Sequence, residues 1–175
     1  MLICRGWCWL LIGLLVLPAG CTPTKKKKSA EAVEAEVAES FGRLQEAIAD
    51  LQKRQTEKLW DILSEKSQDD AARRAKAFRA EFARRDKEEQ VTIAQQLSAT
   101  VEEIRDKLNG FGYVRMKHET IYDRYWMMVA AVVDHVRLHG DEATVYYKPD
   151  DSERDMKSVD FVREDGQWRA ILSIP

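Results

Sequence analysis

The chain has 175 residues, with 28 Lys and Arg against 30 Asp and Glu. That length supports one domain with a real hydrophobic core, and a formal net charge of -2 offers no electrostatic footprint for nucleic acid. Of its three cysteines, Cys4 and Cys8 lie in the first eight residues. Only Cys21 remains beyond them, which excludes a disulfide scaffold and a thiolate metal site in the rest of the chain.

The first predicted element is an export signal. The apolar run Trp7 to Leu17 is 11 residues, within the h-region range of about 7–15 and short of the roughly 20 that span a bilayer. Pro18 ends its helix, and the small residues Ala19 and Gly20 lead to Cys21. This stretch, LLIGLLVLPAGC, resembles the bacterial lipobox, with Pro18 where that motif usually carries Leu. The resemblance implies that residues 1–20 are removed and that Cys21 carries a diacylglyceryl thioether and an acylated amine. Two or more acyl chains anchor stably where one binds only marginally. Residues 21–30, with Lys25 to Lys28, then read as a tether over the membrane surface. Thr22, where Asp would signal inner-membrane retention, favours the outer membrane in a Gram-negative cell.

Residues 31–108 read as helices. Val33, Val37, Phe41, Leu44, Ile48 and Leu51 recur in steps of three and four, one helical face. Gln55 to Ser64, with Leu59, Trp60, Ile62 and Leu63, is a second helix or a continuation of the first. Ser67 with Asp70 predicts the N-terminal cap of the next helix, whose apolar stripe is Ala71, Ala75, Phe78 and Phe82. Glu88 to Leu108 mimics a helix-turn-helix, with Thr100 and Glu103 as a capping box. Glu102, Glu103 and Asp106 would repel phosphates at the reading positions, so a pair of packed helices is expected and no nucleic-acid partner. Asn109-Gly110 predicts the stop of that helix. Phe111 to Trp126 suits a short helix or an extended segment.

From Val129 the period changes to two. Val132, Val136 and Leu138 are expected on the buried face of a strand; Ala143, Val145 and Tyr147, then Val159 and Phe161, then Trp168, Ala170, Leu172 and Ile174 continue the pattern. Gly140-Asp141 and Asp165-Gly166 are turn signals, and Pro149 to Asp155 is a polar loop. The expectation is a single α+β domain over 31–175, N-terminal helices on a curved C-terminal antiparallel sheet of about four strands, with 129–175 mainly strand.

Phe41, Leu44, Ala47, Leu59-Trp60 and Leu63, followed by GDEATVYY and FVREDGQWRAIL, resemble the nuclear transport factor 2-like superfamily of cone-shaped domains, and uncharacterised bacterial lipoproteins that carry one. The resemblance implies a pocket in the cone, and an isomerase or dehydratase as one class of activity. Asp134, among the apolar positions of its strand, would be a desolvated base there, although an Asp near the strand end, paired or solvated, is the preferred reading; Tyr122, Tyr125 and Trp126 are candidate lining residues, the tyrosines as phenolic donors. No catalytic residue is assigned, and no cofactor or metal is expected. His135 and His139 share a strand face but stand roughly 13 Å apart, too far for one ion. The preferred reading is a lipid-anchored envelope protein that binds a small molecule or a protein partner. An enzyme and a structural spacer are the alternatives.

Overall fold

The computed structural model describes residues 28–149 and 156–175. The signal, Cys21, most of the tether and nearly all of the loop 149–155 lie outside the described residues.

Helix α1 (Ala30–Asp50) starts at Ser29, whose side chain accepts from the Ala32 N–H. It buries the expected face: Val37, Phe41, Leu44, Ile48 and the following Leu51 are at most 1% exposed. A 3₁₀ turn (Leu51–Lys53) and Arg54 in the left-handed region place the break that periodicity alone left open. Asp50 holds the corner, 3.1 Å from Lys53 Nζ and 2.6 Å from Lys58 Nζ. Helix α2 (Glu57–Ile62) is short.

Helix α3 (Glu65–Phe82) is capped three residues before the expected cap. Ser64 is the N-cap, its hydroxyl accepting from the Ser67 N–H. Ser67 lies inside the first turn, where its own Oγ accepts from the Leu172 N–H at 2.9 Å. Its role is tertiary, which is why local spacing misplaced it. Helix α4 (Lys87–Gln96) is capped by Asp86. The Thr100–Glu103 box forms as expected, with bonds of 2.8 and 3.1 Å, and opens a π-helical turn (Glu103–Lys107).

The preceding helix stops at Lys107, close to the expected place, with Leu108 extended, but Asn109-Gly110 is no left-handed cap and instead starts the next helix. Asn109 caps α5 (Gly110–Met116) by accepting from Gly112 N–H. Gly110 is required by proximity: a Cβ there would sit 3.0 Å from Trp60 Cη2 and 3.1 Å from the Ala72 amide nitrogen, so α5 crosses α3 backbone against backbone, with the Trp60 ring of α2 beside it. Helix α6 (His118–Tyr125) and a 3₁₀ turn (Trp126–Met128) settle the aromatic stretch as helical.

Four strands follow, β1 (Val132–His139), β2 (Glu142–Lys148), β3 (Lys157–Glu164) and β4 (Gln167–Ile171), in the order β1-β2-β3-β4, all antiparallel. Asp165 and Gly166, at φ 50° and 78°, make the tight β3–β4 turn that right-handed strand twist prefers. The helices and one face of the sheet share a single core, in which Val145, Phe161 and Ala170 are at most 1% exposed. This is the expected α+β order. The end of α3, α4 and the π-turn close a second, smaller cluster of Phe82, Ala94 and Ile104.

Candidate functional site

The residues proposed from sequence do not converge on a chamber. The register of β1 slips between Val133 and His135, a β-bulge in which Asp134 is the extra residue. Upstream of it Val133 faces Tyr147 on the core side; downstream, Val136 faces Val145 and Leu138 faces Ala143. The bulge changes the parity, so Val132 is 64% exposed, not buried with Val136 and Leu138 as strict alternation required.

Asp134 therefore points outward. Its carboxylate lies 2.8 Å from His135 Nδ1 and 3.1 Å from Lys148 Nζ. The hydrogen bond from His135, then that from Lys148, holds the carboxyl below the usual aspartate range. A desolvated base would need the opposite shift. The strand does carry a signal for this arrangement: in Val133-Asp134-His135-Val136 two polar residues stand between two core residues, which period two forbids.

Tyr122 and Tyr125 pack on the helical side of the core. The Tyr125 hydroxyl donates to the Ser173 carbonyl at 2.8 Å, and burial raises its pKa. Tyr113 does the same for the Pro175 carbonyl at 3.0 Å. Both phenols are donors that fasten the C-terminal segment. Trp126 is 55% exposed on its turn. Where a hollow cone would lie, side chains fill the space: Phe41 of α1 meets Tyr147 of β2 with ring centroids 5.3 Å apart, and Phe161, Trp168 and Ile174 occupy the rest.

Two open grooves lie at the α2–α3 junction. Glu65, Asp69 and Arg73 line one, Asp61, Gln68 and Arg169 the other, and Glu164 borders both. The Glu164 carboxylate already accepts from the Glu65 N–H at 3.0 Å, so the chain itself supplies the anion at the start of α3. Among the described residues, no three His, Cys, Asp or Glu side chains gather as metal ligands, and no helix is long and apolar enough to cross a membrane.

The outer sheet face is the other surface of note. His135 stacks on Tyr146 with centroids 4.4 Å apart, and the Arg137 guanidinium lies 5.4 Å from the same ring. His135 and His139 are both exposed on this face, as their spacing implied. What the sequence reading missed is the contrast between the two sheet edges. The β4 edge is closed by the α2–α3 junction, Leu63 bridging Ala170, while β1 has no neighbour beyond β2 among the described residues. No family model, no curated protein and no solved structure matches this chain.

Proposed function

We propose that the chain is a lipid-anchored envelope protein whose folded domain is a binding module for another protein. The anchor rests on the apolar run and Ala19-Gly20-Cys21. The observation that carries the binding reading is the filled space between α1 and the sheet, where Phe41, Tyr147, Phe161 and Trp168 leave recognition to the surface. The order of helices and meander accords with a nuclear transport factor 2-like domain, yet the isomerase or dehydratase alternative loses its base, because Asp134 is outward and ion-paired. A small-molecule binder would need an enclosed apolar pocket.

Helix α1 orients the domain. Glu36 reaches toward Arg163 at the far end of β3, while Gln45 touches the segment before β1. With about 1.5 Å per residue, the Trp126–Val132 end of the domain stands away from Ser29 at the start of α1. The experiment is metabolic labelling combined with cross-linking in the native host. Wild type takes up labelled palmitate and gives a discrete heavier adduct; Cys21→Ala loses the label and leaves the membrane fraction. Absence of label in wild type refutes the anchor, and absence of any adduct refutes the binding module.

A further inference from the structure

We propose that the open edge of β1 docks an extended segment of a partner protein in which apolar residues alternate with acidic ones. This rests on reading the domain as a protein-binding module, and names the surface and the chemistry of the partner.

The two edges of the sheet are treated differently. At β4, Ser64 N–H donates to the Ala170 carbonyl at 2.9 Å and Leu172 N–H donates to Ser67 Oγ at 2.9 Å, so the helical layer covers that edge. At the start of β1, the Gln45 amide donates to the Met128 and Ala131 carbonyls, each at 2.8 Å. From Val132 to His139, among the described residues, no element other than β2 bonds to the strand's backbone. An uncovered row of donors and acceptors is a template for another strand.

The side chains specify which strand. Val133, Val136 and Leu138, on the core side, are only partly buried, whereas the residues they face on β2, Tyr147, Val145 and Ala143, are at most 5% exposed. The core is thus incomplete along this edge, and apolar residues on an added strand would finish it. On the outer side His135, Arg137 and His139 are exposed in a row, and Asp134 is already taken by Lys148 and His135. Directly opposed residues on adjacent strands share a face, and opposite charges there are favourable. Carboxylates at the alternate positions of the partner would meet this row.

A second copy of β1 is a poor occupant. The antiparallel register centred on the regular segment His135–His139 sets Arg137 against itself, and like charges directly opposed are destabilising.

The test uses the full-length chain in detergent and a capped ten-residue peptide of alternating valine and glutamate, with its valine–lysine counterpart as control. Read by amide hydrogen exchange, the glutamate peptide slows the β1 amides by about tenfold or more and leaves β4 unchanged. The lysine peptide does neither, and Arg137→Glu, an exposed change that spares the fold, reverses the preference. Equal effects of the two peptides, slowing elsewhere, or no slowing at millimolar peptide would overturn the proposal. So would β1 protection that grows with protein concentration alone, which would assign the edge to a second copy. In the cross-linking assay, an adduct that survives Arg137→Glu unchanged rejects the edge and leaves the binding module standing.

Discussion

Helix α3 belongs to two regions that are built differently. Its middle turns give Ala71 and Ala75 to the main core, shared with α1, α5 and the sheet. Its last turn gives Phe82 to a satellite with Ala94 of α4 and Ile104 of the π-turn. Phe78 touches both clusters, 6.4 Å from Tyr113 on one side and 6.3 Å from Phe82 on the other. The main core ties residues far apart in sequence, so loosening any part exposes much of it. The satellite joins neighbours along the chain and is fastened by local bonds such as those from the Gln90 amide to the Phe82 and Arg85 carbonyls. Units of the second kind open by themselves at lower free energy. The comparison teaches that helix content alone does not set stability; what matters is which partners the apolar stripe reaches.

The sharpest way to break the main region is Trp168→Ala. The indole is 3% exposed, and such a truncation costs about 3–5 kcal/mol against a domain total of about 5–15. Urea melts should show loss of most of the folded state, with sheet and α1 amides exchanging together. A wild-type midpoint would mean that β4 is not part of the core.

Phe82→Ala removes an equally buried ring, 1% exposed, but from the satellite. The loss, about 3 kcal/mol at the low end of the range for a buried phenylalanine, should fall on local opening: amides of 86–108 exchange faster while β2 and β3 stay protected. Simultaneous loss of protection in the sheet would erase the distinction between the regions.

Gln45→Leu cuts the seam between α1 and the start of β1. Its amide is the donor to the Met128 and Ala131 carbonyls, and leaving partly buried acceptors unmatched costs about 1–3 kcal/mol. The effect should appear first as faster exchange at the beginning of β1.

The smallest effect is expected at Asp134. Being an exposed pair, Asp134→Asn should leave the melting midpoint at pH 7 almost where it was. The carboxyl is held below its ordinary value by His135 and Lys148. Its contribution is therefore complete above the unfolded aspartate pKa of about 3.9 and lost as pH falls through the lowered folded value. The small difference between wild type and variant should vanish in acid; a difference that widened there would contradict the pairing seen.

Periodicity along the chain was enough to determine the class and the core. The face Val37–Phe41–Leu44–Ile48 and the alternation Trp168–Ala170–Leu172–Ile174 are local patterns, and every one of those residues is at most 4% exposed. The Asp165-Gly166 turn was legible for the same reason: its conformation is a property of two residues. Tertiary structure decided the rest. Ser67 was taken for a cap because the strand end that uses its hydroxyl, Leu172, lies 105 residues away. Asn109 could end one helix or begin another by its own chemistry, and the approach of α5 to Trp60 and Ala72 at Gly110 chose the second. Strict alternation alone would turn Asp134 inward; one extra residue, accommodated between β1 and β2, turns it to the outside, where His135 and Lys148 pair with it. Propensity and period are written in neighbours along the chain, whereas the direction of a single side chain depends on what the fold brings against it.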